Sequence, residues 1–364
     1  MSDIQNQIRI QKLARAHIRT LKPYSSARDE YEGKVGVFLD ANENALGSVA
    51  EGNFNRYPDP HQRELKVELA KIKGVEPEQI FLGNGSDEAI DLLFRVFCEP
   101  KEDHVLLLPP TYGMYQVSAD INQVKTVHVP LNEDFTLPVG EIIASIRPGT
   151  KMIFICSPNN PTGNSFSLTQ IAMILKRTQG LVVVDEAYID FSDKSSATTL
   201  LEEYPNLVVL QTFSKAWGMA NLRLGMAYAH PEIIQLINKV KPPYNVNGLT
   251  QEKGLEAVRN VAKKEAFVKT LNSSRAVLRS QLEALEPIQV VYPSDANFLL
   301  TQLPEASAVY DKLIQEQVIV RNRSKVTLCE DCLRISVGTM EENQSFLQAL
   351  KQVLGVEEIE EKAL

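Results

Sequence analysis

The sequence has no run of about 18 apolar residues, the length that a bilayer-spanning helix needs. Its opening stretch, Met1-Ser2-Asp3-Ile4-Gln5, lacks the apolar core of a signal peptide, so the chain is expected in the cytoplasm. Cysteine is scarce, with only Cys98, Cys156, Cys329 and Cys332. Three of them lie in or beside apolar segments, which suggests reduced thiols in a cytosolic protein. Cys329-Glu330-Asp331-Cys332 is a single CxxC without two more ligands nearby, so no metal site is expected. An excess of basic charge is also missing. The 38 basic and 46 acidic residues leave a net charge of −8, which disfavours nucleic acid and anionic membranes as general partners. Small anions in local basic pockets remain open. Internal repeats and low-complexity segments are absent as well.

What is present is ample material for a core. At 364 residues and 44% hydrophobic content, two or three domains are expected. Residues 1–33 read as a helix and then an extended arm, and 35–39 as a short strand. Asp59 is expected to cap a helix with Pro60 at its first position; Leu65, Leu69 and Ile72 form the apolar face and Gly74 ends it. Apolar strand-like runs follow at 80–82, 105–108, 124–129, 152–156, 181–184, 207–210 and 226–229. Helical stretches at 90–97 and 168–175 alternate with them. This alternation is the signature of a largely parallel α/β sheet with ligand groups gathered at strand ends. Lys241-Pro242-Pro243-Tyr244 interrupts it and reads as a domain boundary. Beyond it, 249–285 reads as one or two linking helices. Residues 288–301, 319–323 and 333–337 read as strands, and 305–316 as a helix. Leu347, Leu350 and Leu354 form the face of a last helix that Gly355 ends, and 357–361 is a solvated tail.

The chemistry centres on Thr212-Phe213-Ser214-Lys215, directly after an apolar run. A lysine at a strand end can form a Schiff base with an aldehyde, and burial frees its amine by lowering the pKa. Arg223 offers a planar fork suited to phosphate, and Thr212 and Ser214 can donate to the same group. An aldehyde plus a phosphate suggests pyridoxal phosphate. Gly83-Asn84-Gly85-Ser86-Asp87-Glu88 opens a helix whose first N–H groups suit a phosphate, although capping by Ser86 accounts for the string equally well. Asp185 follows four apolar residues, so its carboxylate points into a cleft and needs a cation, either a protonated pyridine nitrogen or an arginine. Tyr188 can reach a ring hydroxyl. Tyr112, at a strand exit, either stacks on a planar ring or packs. Arg321 and Arg334 are anion-binding candidates; Arg334, inside an apolar strand, holds either a ligand or a structural salt bridge.

Seven segments combine these features: Leu39-Asp40-Ala41-Asn42-Glu43-Asn44, Arg56-Tyr57-Pro58-Asp59-Pro60, the glycine-rich turn at 83–88, Asn160-Pro161-Thr162-Gly163, Asp185-Glu186-Ala187-Tyr188, Ser214-Lys215 with Arg223, and Leu333-Arg334-Ile335-Ser336-Val337-Gly338. Together they resemble the fold-type I, pyridoxal-phosphate-dependent aminotransferases, and within them the histidinol-phosphate aminotransferase family. The resemblance implies an α/β fold with a large domain, whose mostly parallel central sheet is flanked by helices, and a smaller α+β domain from the C-terminal part and the N-terminal arm. The implied limits are 1–40 for the arm, 41–247 for the cofactor-binding domain, and 248–364 for the linking helices and small domain. It also implies that Lys215 holds pyridoxal 5'-phosphate, Asp185 pairs with the pyridine nitrogen, Tyr188 and Asn160 contact the ring oxygen, and Tyr112 stacks on the ring. Ser86, Asp87, Thr212, Ser214 and Arg223 surround the cofactor phosphate, and Tyr57 arrives from the other subunit of a homodimer. Arg321, Arg334, Asn42 and Tyr24 hold the substrate. The implied reaction moves the amino group of L-histidinol phosphate to 2-oxoglutarate, giving imidazole acetol phosphate and L-glutamate in histidine biosynthesis. An aromatic amino-acid aminotransferase and a threonine-phosphate decarboxylase are built on similar residues. A ligand-sensing regulator of the same fold carries an added DNA-binding segment, for which the first 40 residues are too few. Two departures stand out: Ala45 where the family has proline, and Gly218-Met219-Ala220-Asn221 where it often has Gly-Leu-Ala-Gly, which leaves that turn's geometry open.

Overall fold

The computed structural model describes residues 10–26, 28 and 36–356. Seven strands form the larger sheet: β1 (Ile80–Asn84), β2 (His104–Leu107), β3 (Lys125–His128), β4 (Thr150–Cys156), β5 (Leu181–Asp185), β6 (Leu207–Thr212) and β7 (Leu224–Ala229). Their order is β1-β7-β6-β5-β4-β2-β3. All pairings from β3 through β6 are parallel, and β7 runs antiparallel to both of its neighbours. In chain order the helices around this sheet are α1 (Ile10–Leu13), α2 (Ala16–Thr20), α3 (Arg63–Lys73), α4 (Gly85–Phe97), α5 (Met114–Ile121), α6 (Val139–Ala144), α7 (Leu168–Leu175), α8 (Pro231–Val240) and α9 (Gly248–Val258).

The period of two along each strand divides the interior into two cores. Ile153, Ile155, Val182, Val184, Leu207 and Val209 face α3, α6, α7 and α9. Met152, Phe154, Leu181, Val183, Val208 and Leu210 face α1, α2, α4, α5 and α8. The same alternation dictates where the last residue of each strand points. Asp185 continues the Leu181, Val183 series, and Thr212 continues Val208, Leu210. Both side chains therefore aim at the face that carries α4 and α5.

A second, four-stranded antiparallel sheet has the order β10-β11-β9-β8, from β8 (Val290–Val291), β9 (Phe298–Gln302), β10 (Arg321–Asn322) and β11 (Cys332–Ser336). One of its faces packs Leu299, Leu333 and Ile335 on Leu278 and Leu282 of α10 (Val261–Glu283), Leu313 of α11 (Ala306–Gln315) and Leu347 of α12 (Met340–Leu354). The other face looks toward the larger sheet: Phe298 clusters with Tyr188 and Ala216, and Leu300 joins the first core. Arg334 pairs with Leu300 across the ladder and so shares that face.

The structure departs from the sequence reading in five places. Residues 36–39 form no strand, because no ladder partner reaches them, and Val37 and Leu39 stay exposed; Val35 lies outside the described residues. Helix α3 starts at Arg63, not Pro60. Gln62 precedes it in the left-handed region (φ 51°), and Asp59 instead accepts from the N–H groups of His61 and Arg63 at 2.9 and 2.7 Å. Helix α4 begins at Gly85, five residues before the apolar run, so the glycine-rich turn itself forms its first turn. The 288–301 stretch splits into β8 and β9, because the chain between them docks on the larger body: Asp295 N–H donates to Gly163 O at 2.7 Å. The 319–323 strand shortens to Arg321–Asn322. The tail at 357–361 lies outside the described residues. Gly74 and Gly355 end their helices in the left-handed region, as read.

One close approach fixes where helix and sheet meet. A Cβ on Gly225 of β7 would lie 2.1 Å from Ser86 N. Gly225→Ala should therefore push the first turn of α4 off the sheet, lowering stability by about 1–3 kcal/mol and weakening ligand retention at that turn. Thermal unfolding with and without added cofactor checks this; an unshifted melting temperature would contradict the packing.

Candidate active site

The C-terminal ends of β4, β5 and β6 and the start of α4 enclose one cavity. It is lined by Gly85, Ser86, Asp87, Tyr112, Cys156, Asn160, Asp185, Ala187, Tyr188, Thr212, Ser214, Lys215, Ala220 and Arg223. Every cofactor-binding residue read from the sequence is in this set except Tyr57. A second, adjoining cavity shares Tyr112, Asn160, Tyr188 and Lys215 with the first, and adds Arg321, Arg323 and Arg334.

One end of the first cavity is built to hold an anion. Gly85 (φ +72°) donates its N–H to Arg223 O at 2.6 Å, which ties the loop before β7 to the first turn of α4. A Cβ on Gly85 would sit 2.7 Å from Arg223 Nη2, so the glycine makes room for the guanidinium. Arg223 itself adopts a left-handed backbone (φ 53°), an uncommon state for a residue with a side chain. Asn221, one of the departures noted above, lies in the 3-10 turn Ala220–Leu222 that delivers Arg223. Thr212 and Ser214 are linked through their hydroxyls at 3.0 Å, and Asp87 lies 3.5 Å from Arg223. Tyr112 donates to Asp87 at 3.1 Å.

The other end holds a carboxylate that is 2% exposed. Asp185 accepts from Tyr115 OH at 2.7 Å and from Ala187 N–H at 3.1 Å. These two bonds do not offset its burial, which pushes its pKa up to about 6. Tyr115 was not picked out from the sequence. It is fully buried and one helical turn after Tyr112, a position that resembles any core tyrosine until the fold places it against Asp185. Lys215 lies with its amine 5.5 Å from the centre of the Tyr188 ring. Burial first, and then the positive charge of Arg334, lowers its pKa. Burial raises that of the Tyr188 phenol.

Asn160 bridges the two cavities. Its Oδ1 accepts from Arg334 Nη1 at 2.6 Å, which leaves its amide N–H groups to donate elsewhere. Arg334 has no carboxylate partner among the described residues, so the salt-bridge alternative for it is set aside. Arg323 is a third arginine that the sequence reading missed; its spacing of two from Arg321 is the available signal. Three other sequence candidates do not reach these cavities in this chain. Tyr24 is 75% exposed. Asn42 and Tyr57 line a separate groove, where Tyr57 stacks on Tyr244 at 4.5 Å. Cys329 and Cys332 are free and buried in the first core.

The cavity thus brings together an anion cradle, a buried carboxylate with no ion-pair partner among the described residues, and a lysine. Residues 29–350 match the model of the family described as aminotransferase class I and II, and the chain belongs to that family. Its fold is the fold-type I arrangement. Among curated relatives it is similar to proteins named histidinol-phosphate aminotransferase. That of Cytophaga hutchinsonii is 54% identical over 342 residues, covering 94% of this chain and 98% of the relative. That of Bacteroides fragilis is 52% identical over 344 residues, covering 94% and 99%. Among solved structures, the histidinol-phosphate aminotransferase of Clostridium acetobutylicum superposes with a TM-score of 0.77 at 24% identity, covering 83% of this chain and 91% of that one. The Sinorhizobium meliloti enzyme, solved in complex with pyridoxal-5'-phosphate, gives 0.76 at 22% identity, covering 86% and 90%. Both structural likenesses concern the fold.

Burial of Asp185 has a measurable consequence in cofactor-free protein. Its folded-state pKa of about 6 lies above the usual 3.8, so this carboxyl favours folding most below pH 4 and loses that contribution as pH rises through 6. Asp185→Asn removes the charge. The variant should gain on the wild type between pH 4 and 7 by on the order of 3 kcal/mol, and should lose that advantage once a cation fills the site. Chemical denaturation of cofactor-free protein at several pH values tests this; parallel curves for the two proteins would refute it.

Proposed function

We propose that this chain transfers the amino group of L-histidinol phosphate to 2-oxoglutarate with pyridoxal 5'-phosphate as cofactor, yielding imidazole acetol phosphate and L-glutamate in histidine biosynthesis. The observation that carries the reading is one cavity that holds a lysine, an anion cradle and a buried carboxylate with no ion-pair partner among the described residues, beside an arginine-lined cavity. The names of relatives more than half identical or nearly so, over nearly the whole chain, support the substrate. When bound, pyridoxal phosphate supplies an aldehyde that condenses with amines and a ring that accepts the electron pair of a broken C–H bond.

The donor set of the first cavity fits that group. Ser86 and the N–H groups of the first turn of α4, with Thr212, Ser214 and Arg223, hold the phosphate; Asp87 orients Arg223 and Tyr112. Asp185 compensates its burial by pairing with a protonated ring nitrogen, and Tyr115 holds the carboxylate in place. Tyr188 and the free N–H groups of Asn160 donate to the ring oxygen, and Tyr112 covers the ring face. Lys215 would hold the cofactor covalently, and the incoming substrate amine would take its place at that carbon and free the lysine amine. Its lowered pKa favours the neutral amine, which then takes the proton from the amine-bearing carbon of the substrate and returns one on the other side of the transfer. Arg334 and Arg321 bind the phosphate of one substrate and the carboxylate of the other, because a guanidinium fork matches both.

The reading includes a homodimer with shared sites, in which Tyr57, Asn42 and Tyr24 act in the neighbouring subunit's cavity. Tyr57 is half-exposed, and Val37, Leu39 and Leu46 of the same N-terminal segment are exposed apolar residues that a second copy would cover. The Glu43 carboxylate anchors this segment by accepting from Tyr57 N–H and Arg56, both at 2.7 Å. The domain limits 41–247 and 248–364 are kept as part of this reading, with 1–40 as the arm. Four buried free thiols suit a cytoplasmic setting; among the described residues no helix is long and apolar enough to cross a membrane.

Lys215→Ala should reduce donor turnover by at least about 10²–10⁴-fold, the range for a lost general acid/base, while the chain still folds. Single-turnover kinetics with histidinol phosphate, phenylalanine and threonine phosphate as donors test the substrate assignment. Histidinol phosphate should be favoured; a preference for phenylalanine, or carbon dioxide release from threonine phosphate, would overturn it. Sedimentation should give a dimer, and a monomer active at all concentrations would rule out shared sites.

A further inference from the structure

Arg321, Arg323 and Arg334 line one cavity together. Arg321 and Arg334 are direct cross-strand partners, a placement in which like charges repel. Arg323 follows two residues after Arg321, and its N–H donates to Cys332 O at 2.8 Å, which continues the pairing beyond the end of β10. None of the three has an ion-pair partner among the described residues. The Nε groups of Arg323 and Arg334 are buried without any hydrogen-bond acceptor. A buried donor left unpaired is costly, and three uncompensated guanidinium groups add repulsion to that cost. Burial, with Arg334 and Arg321 as the neighbouring charges, brings the Arg323 pKa down to about 10. An anion in this cavity relieves both penalties.

We propose that Arg323 is a specificity-determining residue that tunes the cavity for a phosphate monoester over a carboxylate. This rests on the substrate reading given above. A carboxylate carries a single charge and is satisfied by one fork. A phosphate monoester carries about 1.5 to 2 negative charges and three acceptor oxygens. Arg334, held by Asn160, serves both anions. Arg323 supplies the additional charge and donors that only the phosphate uses in full.

The test compares holoenzymes of the wild type, Arg323→Gln and Arg323→Lys. Donor half-reactions are run with L-histidinol phosphate and with L-histidinol, which has the same amine and ring without the phosphate, and the acceptor half-reaction is run with 2-oxoglutarate. In Arg323→Gln the half-saturating concentration of histidinol phosphate should rise about 10–100-fold, the range for a lost charge-assisted hydrogen bond. The rise should exceed that for L-histidinol and 2-oxoglutarate by at least tenfold. Arg323→Lys, which keeps a charge and loses the fork, should fall between; if the glutamine variant does not fold, the lysine variant decides by the same ratio. Calorimetry should show weaker binding of inorganic phosphate to the variant holoenzyme. Equal losses with all three ligands, or no loss, would overturn the role assigned to Arg323. A wild type indifferent to the donor's phosphate would overturn instead the functional reading beneath it.

Discussion

A carboxylate closed off from water at the end of a central strand sets the terms for the rest of this structure. Asp185 continues a run of inward-facing aliphatic residues on β5, and nothing in its surroundings fully neutralises it. Two hydrogen bonds, from Tyr115 and Ala187, orient it without matching its charge. The ionised form of such a carboxylate gains from a cation opposite, so the cavity and a cationic ligand are thermodynamically coupled. The position is general to open α/β sheets, where ligands gather outside the carboxyl ends of parallel strands. The antiparallel return of β7 adds what a fully parallel sheet lacks: it brings Arg223 and Gly225 back against the first turn of α4, completing the anion cradle.

The second sheet contributes a different kind of constraint. Its apolar face is satisfied by α10, α11 and α12, and its opposite face turns arginines toward the larger body. Asn160 ties the two bodies together through Arg334 and lines both cavities. Sharing Tyr112, Asn160, Tyr188 and Lys215 between both cavities places the lysine where it can serve a cofactor on one side and a substrate on the other.

Much of this was legible in the sequence, for identifiable reasons. Strands on both-side-buried sheets read as continuous apolar runs, so the residue that ends a run is conspicuous; Asp185 was found that way, and Thr212 as a hydroxyl beside Lys215. Lys215 and Arg223 stood out because their neighbours are hydroxyls and glycines. Tyr115 did not, since a tyrosine inside a helix is recognisable as a carboxylate partner only when the helix is docked. Arg323 lay inside the strand read at 319–323, in alternation with Arg321, but only the docked second sheet shows that it lines the same cavity. The start of α3 was misplaced because Asp59 caps through a turn that holds Gln62 in the left-handed region. Residues 36–39 have strand-like composition and no partner, which no local pattern reveals.

The most direct test of the central claim is chemical mapping of the lysine. The purified holoenzyme is reduced with borohydride, digested, and its peptides weighed. A pyridoxyl-phosphate adduct is expected on Lys215, and it should disappear when Asp185 is replaced by alanine and the cofactor is no longer retained. An adduct on a different lysine, or none on protein that carries stoichiometric cofactor, would contradict it.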